Sequence, residues 1–188
     1  MRRLEKKTAV VLLAAGRAER FGGGKLTADL RGCHLWEWAA EAAEAIDFAE
    51  RILVVAPGSA LHSRPGWLQV ENSDAATGMG SSIAAGVAAI SACEQVVIML
   101  ADMPFVTPEH LARLAGAGGP AFSSYEGGMP GCPAAFPQSA FVKLRGLTGE
   151  RGARSLELGE ISLISPSDSR ELADIDTVRD LEKLASDT

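Results

Sequence analysis

Apolar positions along the chain fall into two patterns. At residues 8–15, Thr-Ala-Val-Val-Leu-Leu-Ala-Ala, they are continuous rather than alternating, as in a parallel strand covered on both faces. Residues 51–56 repeat that pattern, and residues 95–101 give it most clearly. Shorter runs at 67–71, 120–124, 131–136 and 161–164 predict further strands, with Gly127 and Gly128 as a turn between two of them. Elsewhere the spacing is helical: Leu35, Trp38, Ala39, Ala42 and Ile46 share one face, and Glu37, Glu41 and Glu44 lie elsewhere on the wheel. Residues 81–92 read as a small-residue helix, Thr107-Pro108-Glu109 as a helix start, residues 151–158 as helical and 177–185 as a last helix. Strands alternating with helices predict an α/β fold with a mostly parallel sheet and right-handed crossovers. With 188 residues and no visible linker or repeat, a single domain over 1–188 is expected, residues 1–7 being a flexible N-terminus.

Composition narrows the function classes. The apolar share of 47% and charged share of 22% suit a packed core and exclude wholesale disorder. A net charge of −6 argues against broad binding to nucleic acid or to an anionic membrane, so an anionic ligand must be held by a few local donors. Cys33, Cys93 and Cys132 lie far apart, an odd number with no CxxC pair, which fits neither a disulfide framework nor a zinc site and implies a reducing, cytoplasmic setting. The apolar run at 9–15 is half the length of a spanning helix, and the uncharged stretch 75–93 is interrupted by Thr77, Gly78, Gly80, Ser81, Ser82 and Gly86. Neither reads as a membrane segment or a signal peptide.

In an open α/β sheet ligands gather at the carboxyl ends of the strands. After the first strand comes Gly16-Arg17-Ala18-Glu19-Arg20-Phe21-Gly22-Gly23-Gly24-Lys25. Glycines let backbone N–H groups close on a polyanion while Arg20 and the exposed loop lysine Lys25 neutralise it, so this reads as a phosphate-binding loop, against the alternative of a mobile surface loop. The Walker pattern fails at Glu19 and Leu26, and the dinucleotide fingerprint fails at Thr27. After the strongest strand comes Asp102, placed to hold a hard cation such as Mg²⁺; the rival is an ordinary turn or capping aspartate. Asp174 and Asp176 follow another short strand, and if that strand persists through them alternation points both to one side, so that one of them could complete a metal site. His34, His62 and His110 have no nucleophile at a suggestive spacing, and Trp36, Trp38 and Trp67 read as core or partly buried. Cys132 reads as packing before Pro133 rather than as a nucleophile, and Cys33 and Cys93 as structural. Arg151 and Arg154, three apart on the expected helix, would meet an anionic acceptor on one face or simply form a solvated face.

The loop Leu13-Ala-Ala-Gly-Arg-Ala-Glu-Arg-Phe-Gly-Gly-Gly-Lys-Leu26 resembles the signature of the Rossmann-like nucleotidyltransferases that include the molybdenum cofactor guanylyl- and cytidylyltransferases. Residues 78–86, 100–104, 131–133, 149–154 and 174–177 match further family blocks in the same order. Ala15 and the Gly78-Met-Gly-Ser-Ser82 block resemble the cytidylyl branch, whereas Gly24, Cys132 and Asp29 stand where the family commonly has an acid, a histidine and a proline. The resemblance implies a three-layer sandwich of the nucleotide-diphospho-sugar transferase type and CMP transfer from CTP to the phosphate of molybdopterin, with release of pyrophosphate. It implies nucleotide binding by Leu13, Ala14, Ala15, Gly16, Gly22, Gly23, Gly24, Lys25, Gly78, Ser81 and Ser82, and catalysis by Lys25, Arg20 and Asp102. Mg²⁺ would be held by Asp102 and Asp176, with Cys132, Arg151 and Arg154 on the acceptor side. The implied partners are an NTP, a phosphorylated acceptor and, transiently, a molybdenum hydroxylase. The alternatives are a sister transferase using GTP or another acceptor, and a non-catalytic carrier of the cofactor.

Overall fold

In a computed structural model, residues 4–16 and 21–186 are described. Among them β1 (Thr8–Ala14), β4 (Glu50–Val55), β5 (Leu68–Glu71), β6 (Gln95–Leu100), β7 (Ala121–Ser124), β8 (Pro130–Pro137) and β9 (Ser162–Ile164) form one sheet, ordered β5-β4-β1-β6-β8-β7-β9. The separate hairpin of β2 (Asp29–Leu30) and β3 (Cys33–His34) escapes the sequence reading because its strands are two residues long; Arg31 and Gly32 turn it with φ of 57° and 87°. β1 pairs in parallel with both β4 and β6, β5 extends that block beyond β4, and β8 runs antiparallel to β6 and β7. The sheet is therefore mostly parallel, as the continuous apolar runs predict.

Those runs are continuous because both faces of the sheet are covered. Val10, Leu12 and Ala14 of β1 join Trp36, Ala39 and Ala43 of α1 (Leu35–Glu44) and Leu111 and Leu114 of α3 (Pro108–Ala115). Their neighbours Ala9, Val11 and Leu13 join Ile83 and Val87 of α2 (Met79–Ala88) and Phe141 and Leu144 of α4 (Phe141–Arg145) on the other face. Period-two alternation thus sorts one strand between two cores, giving a three-layer sandwich. Gly86 lets α2 sit close: a Cβ there would lie 2.4 Å from Val11 Cγ1 and 2.9 Å from Val54 Cγ2. At α3 the expected start is present, with Pro108 in the first turn and Thr107 Oγ1 accepting from the His110 backbone N–H at 3.2 Å. A third small cluster, Leu30, Leu35 and Ile175, receives Phe21, Leu26 and Leu181 and packs α5 (Val178–Ser186) beside the glycine loop.

Two expectations are corrected. Residues 151–158 hold only one 3-10 turn, Ala153–Ser155, in place of a helix. Gly149 is left-handed at φ 61°, and its carbonyl accepts from the Gly80 N–H at 2.8 Å, so docking on the start of α2 outweighs the segment's local helix propensity. Residues 173–176 lie outside any strand, although alternation persists: Ile175 is fully buried between the exposed Asp174 and the half-buried Asp176.

Candidate active site

The carboxyl ends of β1 and β6 open into a cavity of about 650 Å³, within the usual range for small-molecule sites. Leu13, Ala14, Ala15 and Gly16 form its β1 side, and Leu100 and Asp102 its β6 side. Lys25 and Leu26 enter on the 3-10 turn Lys25–Thr27, which follows three successive left-handed glycines, Gly22, Gly23 and Gly24, with φ of 84°, 97° and 63°. Only glycine adopts that run without strain, and it is what folds the loop back over the strand end. The far wall is Ala75, Ala76, Gly78, Met79 and Ser82 at the start of α2, with Glu150 beside them. Glu150 is carried there by close backbone packing: a Cβ on Gly78 would lie 2.5 Å from the Gly149 carbonyl carbon, and one on Gly80 2.5 Å from the Arg151 carbonyl oxygen.

At one end of the cavity the Lys25 ammonium donates to Asp102 Oδ2 at 2.7 Å and to Asp176 Oδ1 at 3.5 Å. Lys25 is buried, 7% exposed, so the exposed loop lysine expected from sequence is corrected to a counter-charge packed between two carboxylates. Asp176 reaches the site because the Ile175 N–H donates to the Asp102 carbonyl at 3.0 Å. Asp102 Oδ1 is buried and has no protein partner. Partial desolvation of its carboxyl by the surrounding chain, reinforced by the nearby charges of Asp176 and Asp102, raises the pKa of Asp174 above the ordinary carboxylate range although the residue as a whole is exposed. Among the described residues no cluster of three or more His, Cys, Asp or Glu side chains is arranged for a metal ion. The carboxylates that meet at Lys25 are those of Asp102 and Asp176.

Of the residues singled out by sequence, Leu13, Ala14, Ala15, Gly16, Lys25, Gly78, Ser82, Asp102 and Asp176 line this cavity. Gly22, Gly23 and Gly24 shape the loop without lining it. Ser81 is turned away: its hydroxyl lies 2.9 Å from both the Asp74 and Gly78 carbonyls and accepts from Asn72 Nδ2 at 3.0 Å. Arg20 lies outside the described residues. Arg151 and Arg154 do not share a helical face, since only Arg154 is in the 3-10 turn, where its Nη1 donates to the Pro130 carbonyl at 3.2 Å.

Sequence reasoning missed Leu26, Ala75, Ala76, Leu100 and Glu150. Leu26 and Leu100 lie in family blocks only as apolar residues and Glu150 is the acid inside the Gly149 to Arg154 block, whereas Ala75 and Ala76 lie outside any block. Asn72 was missed as well; it donates to Ser82 Oγ at 3.0 Å while its own Oδ1 accepts from the Asp74 N–H, which fixes the amide's orientation.

Cys132, on β8, has its thiol pushed up to about 11 by burial. At pH 7.5 that leaves roughly three thiolates in ten thousand. Site-resolved iodoacetamide labelling is expected to leave Cys132 unmodified at pH 7.5 and to reach it only above about pH 10, and Cys132→Ser is expected to keep turnover within about threefold. Fast labelling at neutral pH would show a reactive thiol instead.

The model of the MobA-like NTP transferase domain family matches residues 10–160, which contain the glycine loop, Asp102 and both walls of the cavity. This chain belongs to that family. It is 32% identical over 186 residues to the purine catabolism protein PucB of Bacillus subtilis, covering 89% of this chain and 90% of PucB. Among solved structures, Rv0371c of Mycobacterium tuberculosis superposes with a TM-score of 0.81 at 23% identity, over 97% of this chain and all of that one, and it has also been solved in complex with manganese. The molybdopterin-guanine dinucleotide biosynthesis protein A of Archaeoglobus fulgidus superposes with a TM-score of 0.72 at 23% identity, over 94% of this chain and 96% of that one. These likenesses carry the fold, and the family membership makes the chain a nucleotidyltransferase acting on small-molecule nucleotides. No helix among the described residues is long and apolar enough to cross a membrane.

Proposed function

We propose that this nucleotidyltransferase moves CMP from CTP to the phosphate of molybdopterin, releasing pyrophosphate. The observation that carries the reading is the polarity of one cavity: Lys25, Asp102 and Asp176 at one end, and the small, neutral wall of Ala15, Ala75, Gly78 and Ser82 at the other. A triphosphate suits the first and a base with its ribose the second. An acceptor phosphate oxygen attacks the α-phosphorus in line, the α–β phosphoanhydride bond breaks, and pyrophosphate leaves. Such chemistry rests on positioning and charge neutralisation, with no protein nucleophile.

Lys25 holds the leaving phosphates and stabilises charge as it develops there, Arg20 adds a second cation, and backbone N–H groups of Ala15, Gly16 and the Gly22 to Gly24 loop orient the nucleotide. The donor set fits a hard divalent ion. Both side chains offer only carboxylate oxygens, Asp102 Oδ1 lacks a protein partner, and Mg²⁺ is ordinarily bound through one or two carboxylates, with substrate phosphates and water completing its shell. Asp102 and Asp176 would hold it, and when bound it supplies charge neutralisation on the triphosphate. Manganese in the complex of Rv0371c supports that assignment. Cys132, Arg151 and Arg154 are assigned to the acceptor side, and a molybdenum hydroxylase is the expected recipient of the product.

Cytosine and guanine present different edges, and a buried group left unpaired costs roughly 1–3 kcal/mol. CTP is therefore expected to exceed GTP at least about tenfold in kcat/KM, and Ala15→Gly to narrow the gap by relaxing the backbone at the base. Competition of the two nucleotides, read by pyrophosphate release with Mg²⁺ and molybdopterin, checks this; a preference for GTP overturns the base assignment. One observation favours that second reading. Glu150 stands beside that small-residue wall, and a carboxylate accepts well from the paired N–H donors of guanine.

A further inference from the structure

Lys25 and the two aspartates that face it have a consequence for when metal enters. Reading the cavity as an NTP site, we propose that the Lys25 ammonium excludes divalent cations from the Asp102–Asp176 pair until a triphosphate draws it away, so that metal enters with the nucleotide rather than before it.

Three observations support this. Lys25 Nζ lies between the carboxylates, 2.7 Å from Asp102 Oδ2 and 3.5 Å from Asp176 Oδ1. A cation ligated by both oxygens, at the roughly 2.1 Å typical of Mg²⁺, would stand within a few ångströms of that ammonium and be repelled by it. Next, the second oxygen of Asp102, Oδ1, is buried without a protein partner while Lys25 holds Oδ2, so the ammonium stands at the very carboxylate a cation would need. Finally, the Lys25 side chain is only 8% exposed, which keeps the ammonium from leaving into bulk water. It needs another anion to move to, and the substrate's phosphates are that anion. With Asp102 and Asp176 as its ligands, and no cluster of three or more His, Cys, Asp or Glu side chains arranged for a metal among the described residues, the ion's remaining ligands would come from phosphate and water. One exchange meets both needs: Lys25 passes from the aspartates to the phosphates as the ion passes from solution to the aspartates.

The test is Mn²⁺ binding followed by the EPR signal of the free ion, which needs no turnover. Without nucleotide, the wild type is expected to bind Mn²⁺ at least tenfold more weakly than Lys25→Met, while Lys25→Arg, which keeps the charge, stays near the wild type. The gain in Lys25→Met should vanish in Lys25→Met/Asp102→Asn, locating it at this pair. Saturating CTP should tighten Mn²⁺ binding to the wild type at least tenfold beyond what CTP alone binds in solution. Equal Mn²⁺ affinity for wild type and Lys25→Met without nucleotide overturns the proposal, as does a gain that survives Asp102→Asn. If Lys25→Met does not fold, wild-type binding that is equally tight with and without every NTP overturns it. The metal-alone arm contains no nucleotide, so it is independent of the base: if that difference appears and GTP rather than CTP tightens the wild type, the role of Lys25 stands and the cytidylyl reading falls.

Discussion

Asp102→Asn is expected to lower kcat by roughly 10²–10³ while leaving the protein folded. The side chains are nearly isosteric, so β6 and its parallel pairing with β1 are untouched. The change removes the charge that faces both Lys25 and the reacting phosphates, and losing one such preorganised electrostatic contact commonly costs about 3–4 kcal/mol in the transition state. Stability should fall by only about 1–2 kcal/mol. The introduced amide can keep its oxygen toward Lys25, but its nitrogen then occupies the buried Oδ1 position, where an N–H donor must be desolvated. Steady-state kcat across a Mg²⁺ titration, with thermal unfolding of the same preparation, separates the two effects. Activity within threefold of wild type at every metal concentration would remove Asp102 from the site.

Lys25→Ala is expected to act on both turnover and stability. Turnover should fall about 10²–10⁴-fold, because the variant loses the cation at the leaving pyrophosphate. Removing the ammonium also takes away the cation that Asp102 and Asp176 share. Asp102 keeps 24% of its side chain exposed and Asp176 48%, so water reaches both, and the stability cost should be about 1–2 kcal/mol rather than that of a sealed ion pair. Lys25→Arg should restore most of the stability and only part of the turnover, since the guanidinium carries the charge in another geometry. Denaturant unfolding beside kcat measures the split. If Lys25→Ala loses stability but keeps wild-type kcat, Lys25 is a structural counter-ion and not part of the chemistry.

The architecture was legible where both faces of an element are buried. Val10 to Leu13 and Val96 to Met99 sit in a sheet covered on both sides, so their hydrophobicity is unbroken and cannot be mistaken for a surface strand. The strand-end rule then placed Asp102 beside the loop of Gly16 and Lys25. Legibility ended where a conformation is imposed by distant contacts. The segment 151–158 has helix-forming residues but is held by Gly149 against Gly80, on a remote part of the chain. Ser81 and Ser82 are adjacent and chemically identical, yet Ser81 is engaged by the Asp74 and Gly78 carbonyls while Ser82 lines the cavity, a difference set by one step of helix rotation. The burial of Lys25 was likewise hidden, because its two partners come from 77 and 151 positions further along the chain.

Transfer of a nucleotidyl group and transfer of a terminal phosphoryl group leave different atoms on the acceptor. CTP labelled at the α- or the γ-phosphate, incubated with the protein, Mg²⁺ and molybdopterin, distinguishes them in one pair of reactions. The α-label is expected in the acceptor product and all γ-label released from CTP in pyrophosphate, both lost in Asp102→Asn. Appearance of γ-label in the acceptor, or no transfer of either label from CTP, would refute nucleotidyl transfer from CTP in this cavity.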